Sequence, residues 1–274
     1  MAVITRPAAR PNPLAVAWSR VWRARRLVER NILVYKHQWI IIFSGVFEPI
    51  FYLVGIGFGI GGAVEAVEFG GREIAYAAYV APGLLAVAAM NGAVFETIFN
   101  VFFKLNFAKT YEGILATPMG ITEIAVGEML WALMRATLYA VAMLVIMVFM
   151  GLILSPWAVL VVPAALFVAA AFSAAGLAGT SYLRTVNDFD IPMGLVVMPM
   201  FLFSGTFFPP EGLFPDWAMV IMHFTPLYHA INLIRGLSTG LMSLAQLWDF
   251  AYLAAFFALG LWIATRQMER KLIK

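Results

Sequence analysis

Long apolar segments, each close to the length needed to cross a bilayer, are the feature of this sequence that most restricts its fold. A membrane-spanning helix needs about 20 mostly apolar residues, because the hydrocarbon core is about 30 Å thick. Such segments lie at about 39–60, 79–103, 124–152, 158–183, 191–208 and 244–265. Only 12% of the residues are charged, too few to make a water-facing surface. We therefore predict an all-α membrane protein with six transmembrane helices.

A basic amphipathic helix is predicted immediately before the first apolar segment. Apolar side chains recur there at three- and four-residue spacing, at Leu14, Trp18, Val21, Val28, Ile32 and Tyr35. Arginines occupy the opposite side, which is typical of a helix lying on the inner membrane surface. Arg25 and Lys36 interrupt the apolar side, so a solvated charged helix remains the alternative. We assign 14–36 to this interfacial helix, 1–13 to a flexible tail and 14–274 to a single transmembrane domain.

The distribution of basic residues predicts the orientation of the chain. Of the 18 Lys and Arg residues, Arg135 lies inside an apolar segment, Arg72 and Arg235 lie on one side of the membrane, and the remaining fifteen lie on the other. Basic residues near the ends of spans are retained in the cytoplasm. We therefore expect both termini and the loops 104–123 and 184–190 to be cytoplasmic.

The outer segment 207–240 is too apolar for a water-exposed loop and too interrupted to cross the membrane. Four prolines break it, at Pro209, Pro210, Pro215 and Pro226. Short re-entrant helices in the outer leaflet would fit, provided that their backbone is buried in protein or faces a cavity. Phe207, Phe208 and Tyr228 are candidates for a substrate path, although such aromatic residues also anchor proteins at the membrane interface.

Charged side chains are predicted inside three spans, and each needs a partner or a cavity there. They are Glu48, Glu96 and Arg135. Helical side chains tilt towards the helix N-terminus, which for the third span is cytoplasmic, so Arg135 could reach back to either glutamate. We predict a buried ionic network of Arg135 with Glu48 or Glu96, which either ties three helices together or acts in gating or substrate binding. A polar vestibule beside it would be lined by Asn91, Thr97 and Asn100.

The cytoplasmic loop between the second and third spans is predicted to contain a short helix. Residues 109–116 suit a helix, which Pro118 and Gly120 would end before the third span. A short helix on the inner face could bind a soluble partner. An interfacial loop helix without a partner is the equal alternative.

Several kinds of chemistry are not expected of this chain. The sequence contains no G-x-x-x-x-G-K-[ST] phosphate loop, so ATP hydrolysis by that mechanism is not predicted. It has no cysteine, and its three histidines, His37, His223 and His229, lack the spacing of metal ligands. We therefore expect no metal site, no cofactor bound by this chain and no nucleic-acid partner.

Six stretches of the sequence resemble one family. They are Glu48–Gly57, Phe95–Ile98, Tyr111–Met119, Gly127–Ala132, Pro199–Pro209 and Pro226–Arg235. In this order they are similar to the membrane subunits of ABC-2 type exporters, and within that family to the rhizobial lipooligosaccharide nodulation-signal exporters and their drug-resistance relatives. The resemblance covers nearly the whole chain after residue 30.

The resemblance implies an exporter that moves an amphipathic substrate, glycolipid-like or drug-like, out of a bacterial cell. Two copies of such a permease pair in the plasma membrane with two copies of a phosphate-loop ATPase, which binds ATP and magnesium. The segment of about Tyr111–Thr117 would be the coupling helix that docks on the ATPase. The residues implied in this contact are Lys109, Tyr111, Glu112, Leu115, Thr117 and Pro118.

Two other classes of protein remain to be weighed. A membrane-embedded lipid- or glycan-modifying enzyme would need paired carboxylates at the membrane surface, and Asp188 and Asp190 are the candidates. Capping of the next helix is the simpler role for these aspartates. A proton- or sodium-coupled carrier is disfavoured, because the sequence has no internal repeat.

Overall fold

The computed structural model describes residues 13–37, 39–64, 66–210 and 214–272, and within them the chain is mostly helical. Residues 1–12 of the expected tail lie outside this part. The helices are α1 Pro13–Tyr35, α2 Trp39–Gly59, α3 Tyr76–Phe95, α4 Val101–Asn106, α5 Thr110–Leu115, α6 Ile121–Phe149, α7 Val161–Thr180, α8 Met198–Leu202, α9 Asp216–His223, α10 Pro226–Thr239 and α11 Ala245–Leu272.

Four helices in the described part of the chain are long and apolar enough to cross a membrane. They are Tyr76–Asn106, Ile121–Phe149, Pro156–Thr180 and Ala245–Lys271. These four agree with the second, third, fourth and sixth predicted spans. The first predicted span is the 21-residue helix α2, in which the continuous apolar stretch that can be assessed is Phe43–Gly57. The protein is therefore a helical membrane protein.

The fifth predicted span, 191–208, is helical only in its first part. A π-helical segment, Ile191–Val197, leads into α8, and the helix ends at Leu202. Gly205 has a φ of 73°, a left-handed conformation that glycine adopts without steric cost and that no regular helix can contain. The expectation of a helix up to residue 208 is therefore wrong over its last turns.

A β-hairpin follows α2, where no strand was predicted. Strands β1 Ala66–Phe69 and β2 Arg72–Ala75 pair antiparallel, with Phe69 opposite Arg72. The two residues of the turn, Gly70 and Gly71, have φ values of 59° and 75°. A two-residue turn of type I′ requires positive φ at both positions, which explains the Gly-Gly pair. The chain is therefore not purely α-helical.

Helix α3 is the centre of the bundle, and nearly all of its side chains are buried. It packs against α2, α6, α7 and α10. Small residues allow this close approach, as is common between membrane helices. At Gly92 an added Cβ would lie 2.8 Å from the ring of Tyr139 and 3.1 Å from Cα of Ala136. The contact between α3 and α6 therefore depends on the missing side chain at this position.

The helix that begins as α3 contains one irregular turn before it continues as α4. Residues Glu96–Asn100 form a π-helical turn, in which hydrogen bonds join residues five apart. Such turns are frequent at functional sites. Here the turn begins at a buried glutamate.

The two short helices after the fifth segment agree with the prediction of broken helical structure in 207–240. Helix α9 is mostly exposed, whereas α10 is almost completely buried against α3 and α11. Arg235, which was expected on the outer side of the membrane, is 2% exposed inside this packing. Its guanidinium donates to the carbonyl oxygens of Tyr79 and Gly205 and lies 3.8 Å from the centre of the Tyr79 ring. Arg235 therefore fixes α10 to the N-terminal end of α3.

Candidate functional site

A buried ion pair joins α3 to α6. Arg135 donates from Nη1 to Oε2 of Glu96, and from Nη2 to the hydroxyl of Tyr139 at 2.8 Å. Asn100 donates to the same Glu96 oxygen at 2.7 Å. The Glu96 side chain is fully buried and that of Arg135 is 10% exposed. Of the two partners predicted for Arg135, the structure therefore brings only Glu96 to it.

This ion pair leaves two buried polar atoms without a hydrogen-bond partner among the described residues. They are Oε1 of Glu96 and Nε of Arg135. A buried pair stabilises a fold only when its geometry is good and its remaining hydrogen-bonding capacity is satisfied. The pair therefore stabilises the fold less than a buried ion pair with all its hydrogen bonds formed would.

A cavity of about 350 Å³ lies between α2, α3 and α6, beside this ion pair. Asn91, Asn100 and Arg135 line one part of it, and Glu48 lines the α2 side. Glu48 makes no hydrogen bond or ion pair with any residue that the structure describes. The expectation that Glu48 belongs to the ionic network is therefore wrong, because it faces the cavity instead.

Thr97 does not line this cavity, contrary to the predicted polar vestibule. Its side chain is fully buried and donates to the carbonyl oxygen of Ala93 at 2.8 Å. The hydroxyl of Thr180 in turn donates to the carbonyl oxygen of Thr97 at 2.7 Å. Thr97 therefore belongs to the contact of the π-helical turn with α7.

A second ionic cluster, which was not predicted from the sequence, lies near the N-terminal end of α6. Glu128 is fully buried and accepts hydrogen bonds from Lys104 at 2.8 Å, from Tyr111 at 2.9 Å and from Asn31 at 3.4 Å. These residues come from α6, α4, α5 and α1. The signal was available, since Glu128 is an acidic residue inside a predicted span and lies seven residues, about two turns, before Arg135.

The helix α5 is the predicted loop helix, and its residues divide between two sides. Tyr111 is 1% exposed, and its burial, together with the neighbouring charge of Glu128, raises the pKa of its hydroxyl well above the ordinary value. Tyr111 therefore faces the bundle and not the exposed side of α5. Of the other residues predicted in this contact, Leu115 is half-buried. The exposed ones are Glu112 in α5 and Lys109, Thr117 and Pro118 beside it.

The amphipathic helix α1 packs on α6 through one narrow side. Ala24, Leu27 and Asn31 are buried there. Arg23 forms an ion pair of 2.8 Å with Glu123 at the start of α6. Trp22 and Ile32 are exposed, on the part of α1 that also carries the exposed ion pair of Arg25 with Glu29.

The three aromatic residues predicted to line a substrate path do not line this cavity. Phe207 is 9% exposed and packs against Phe201 with a ring separation of 5.1 Å. Tyr228 is also buried, beside His223. Phe208 is 48% exposed and is the one residue of the three on an open surface. Phe207 therefore packs against α8, and Tyr228 packs against α9.

The two aspartates considered for an enzyme site do not form a catalytic pair. Asp188 accepts hydrogen bonds from the backbone N–H groups of Arg184 and Thr185 and from the Thr185 hydroxyl, at 2.7 to 3.0 Å. These hydrogen bonds, the one from Arg184 first, hold the pKa of Asp188 below its ordinary value. The carboxylate therefore caps the turn Val186–Phe189, as the simpler interpretation predicted.

Among the described residues, no group of three or more His, Asp or Glu side chains is arranged to hold a metal ion. His229 and Asp249 form a buried pair, with Nδ1 of His229 at 2.6 Å from the carboxylate and Nε2 at 2.8 Å from the carbonyl oxygen of His223. Both ring nitrogens thus face acceptors. The pair links α10 to α11.

The described residues thus form a helical membrane bundle with an internal cavity beside a buried ion pair. The family model described as ABC-2 type transporter matches residues 24–238, and the chain belongs to this family.

Several characterised proteins are similar to this chain over most of its length. Nodulation protein J of Rhizobium leguminosarum bv. viciae is 30% identical over 277 residues, which cover the whole of both chains. Nodulation protein J of Sinorhizobium fredii is 33% identical over 219 residues, or 80% of this chain and 79% of its own. The inner membrane transport permease YadH of Escherichia coli is 23% identical over 66% of this chain and 70% of its own. The chain is therefore the membrane component of a transporter.

Proposed function

We propose that this chain is the permease subunit of an ATP-driven exporter, and that ATP is hydrolysed by a separate phosphate-loop ATPase. Membership of the ABC-2 type transporter family supports the proposal. The ATPase would bind ATP and magnesium, and this chain would supply the membrane path and the surface on which the ATPase docks.

The observation that carries this proposal is the anchoring of the loop helix α5. Its inner side is fixed to the bundle by Tyr111, which donates to the buried Glu128. Its outer side presents Lys109 and Glu112, both more than 60% exposed, to the aqueous phase. A helix that is rigidly attached on one side and free on the other can transmit a movement of a docked partner to α6. This arrangement supports the interpretation of α5 as a coupling helix.

The proposed topology has six membrane crossings, with α2 as the first and the segment of α8 as the fifth. Both termini would lie in the cytoplasm of a bacterial cell, with the chain in the plasma membrane. The basic residues of α1 and of the end of α11 support this orientation. The helices α9 and α10 would then form the re-entrant pair on the outer side.

The proposed assembly contains two copies of this chain and two of the ATPase. Large apolar side chains remain exposed on α2 and on the segment before α8, among them Phe51 at 68% and Leu195 at 72%. Lipid or a second copy would have to cover these surfaces. Between two copies they would line a path for an amphipathic molecule, either glycolipid-like or drug-like.

Affinity purification of the tagged chain from mild-detergent membranes of its native host tests this function. We expect a phosphate-loop ATPase in near-equal amount, identified by mass spectrometry. A charge-reversal variant on the outer side of α5, Glu112→Lys, should lower the recovered ATPase about tenfold, since a contact worth about 1.4 kcal/mol would be lost. Glu68→Lys in the β-hairpin is the matched control and should leave recovery unchanged. Repeated isolation of the wild-type chain without any ATPase would contradict the proposal.

A further inference from the structure

The cavity between α2, α3 and α6 adjoins an apolar groove along the exposed surface of α2. Ser44, Glu48 and Tyr52 line both the cavity and the groove. The groove adds Phe47 and Phe51. A molecule could therefore occupy both spaces, with one part in the cavity and another along α2.

The charges around the cavity do not balance. Arg135 is the basic residue among those that line it, and its charge is already neutralised by Glu96. Glu48 is the second charged residue in the lining, and it has no partner among the residues that the structure describes. When Glu48 is ionised, the site consequently carries an excess negative charge. An ionisable residue within a membrane helix is costly without a partner, so a cationic group is the ligand that this cavity favours.

Aromatic rings line the same cavity as this carboxylate. Tyr52, Phe95, Phe99 and Tyr139 line the cavity. Aromatic faces attract cations, and the attraction grows when water is excluded. The remaining polar groups, Asn91 and Asn100, can accept hydrogen bonds from a protonated amine. A carboxylate among aromatic rings therefore matches an ammonium or a similar organic cation better than an anion.

The groove supplies an apolar surface next to this carboxylate. Phe43, Phe47 and Phe51 follow one another along α2, with ring centres 5.0 and 5.8 Å apart. All three are exposed, at 52%, 39% and 68%. Their spacing of four residues places them on one side of the helix, parallel to an acyl or alkyl chain in the membrane.

We propose that Glu48 binds the cationic head group of an amphipathic molecule, whose apolar part lies along Phe47 and Phe51. This inference rests on the proposed transport function and names the substrate class as amphipathic organic cations. The cavity volume lies at the lower end of the range of ligand pockets, which suits a head group rather than a whole substrate.

Equilibrium binding to the purified full-length chain in mild detergent tests the head-group site. The probe is methyltriphenylphosphonium, and its uncharged analogue is triphenylphosphine oxide. We expect saturable binding of the cation, and a loss of at least about tenfold in affinity in Glu48→Gln. Glu48→Asp keeps the charge and should retain most of the binding. Glu68→Gln, which changes a carboxylate in the β-hairpin, is the matched control and should bind as the wild type does.

Three results would overturn the inference. They are the absence of saturable binding to the wild type, equal binding by Glu48→Gln, and binding of the uncharged analogue as tight as that of the cation. The last result would indicate a neutral head group, such as a sugar. Circular dichroism and gel filtration of each variant exclude a folding defect, which is not expected because Glu48 makes no contact that its replacement would break.

A second probe tests the groove. Dodecyltriphenylphosphonium should bind more tightly than the methyl compound after correction for its partition into empty micelles. Phe51→Ala should reduce this gain while leaving the binding of the methyl compound unchanged. Phe149→Ala, at the end of α6, is the control, because Phe149 is also exposed, at 87%. An undiminished gain in Phe51→Ala would contradict the role of the groove.

The binding experiment needs no ATPase, so it separates this inference from the proposed function. Cation binding that depends on Glu48, without recovery of an ATPase, would support the site and contradict the exporter. Recovery of the ATPase without such binding would support the exporter and contradict the site.

Discussion

The hydroxyl of Tyr111 donates a 2.9 Å hydrogen bond to the buried carboxylate of Glu128, and this contact fixes the loop helix α5 to α6. The same carboxylate accepts from Lys104 and Asn31. One acidic side chain thus joins the interfacial helix, the loop helix and two parts of the bundle. The proposed docking surface is oriented by this buried cluster and not by the exposed residues themselves.

Replacing Tyr111 by Phe should separate anchoring from docking. The variant keeps the ring but removes one donor to a buried carboxylate, which costs about 1–3 kcal/mol. We expect a lower thermal unfolding temperature in detergent, followed by circular dichroism, and weaker stimulation of the partner ATPase. Glu112→Gln on the outer side should leave the unfolding temperature unchanged. Equal stability of Tyr111→Phe and the wild type would show that the hydrogen bond has no structural weight.

Replacing Arg135 by Met tests which glutamate it neutralises. The change leaves Glu96 buried without its charged partner, for which we expect a loss of about 3–5 kcal/mol. Adding Glu96→Gln should restore most of this loss, because the uncompensated charge is then removed. Adding Glu48→Gln instead should restore little. Chemical denaturation of the three variants checks this, and rescue by Glu48→Gln would place Glu48 in the network after all.

Replacing Gly92 by Ala tests the close contact of α3 with α6. The added Cβ would meet Tyr139 at 2.8 Å and the backbone of Ala136 at 3.1 Å, so the helices must move apart. We expect a loss of about 1–3 kcal/mol, as for other overpacked sites. Gly55→Ala in α2 is the control, because nothing lies within 4 Å of its Cβ position. A thermal unfolding curve of Gly92→Ala that overlays the wild type would contradict the packing.

Replacing Asp249 by Ala tests the buried pair with His229. The change removes the acceptor at Nδ1, while Nε2 keeps the carbonyl oxygen of His223 at 2.8 Å. A buried ring nitrogen without a hydrogen-bond partner costs about 1–3 kcal/mol, so α10 and α11 should hold together less firmly. Hydrogen exchange measured by mass spectrometry should rise in both helices. The double variant Asp249→Ala with His229→Phe should recover part of the protection, whereas unchanged exchange in the single variant would contradict the link.

Apolar length and helix-breaking residues were sufficient to predict most of the fold. The four longest spans and α1 agree with the sequence, because bilayer thickness and amphipathic spacing leave few alternatives. The hairpin was missed although Gly70-Gly71 between two short alternating runs is its ordinary signal. The end of α8 was missed because the conformation of Gly205 depends on its surroundings.

The candidate site was predicted in its residue types more than in its pairings. Glu48, Glu96 and Arg135 were identified because charges in a membrane helix are rare and need a reason. Which glutamate meets Arg135 depends on the rotation of α3, which the π-helical turn alters and no spacing rule anticipates. Glu128 was missed because it lies close to the cytoplasmic end, where a charge is less unusual. The burial of Tyr111 was not predicted, because a six-residue helix has no reliable periodicity.

The π-helical turn at Glu96–Asn100 affects how the continuous helix of α3 and α4 aligns with α6. Glu128 and Arg135 are seven residues apart on α6, about two turns, and so share one side. Glu96 and Lys104 are eight residues apart, which in a regular helix would rotate them by about 80° from each other. The wider turn absorbs the additional residue, so both can meet α6. Along the sequence each helix has its acidic residue before its basic one, and because the helices are antiparallel each acid lies opposite a base. A shift of one helix by two turns would instead place Glu96 opposite Glu128, or Lys104 opposite Arg135. The two ion pairs therefore favour one alignment of the helices, and like charges disfavour the alignments shifted by two turns.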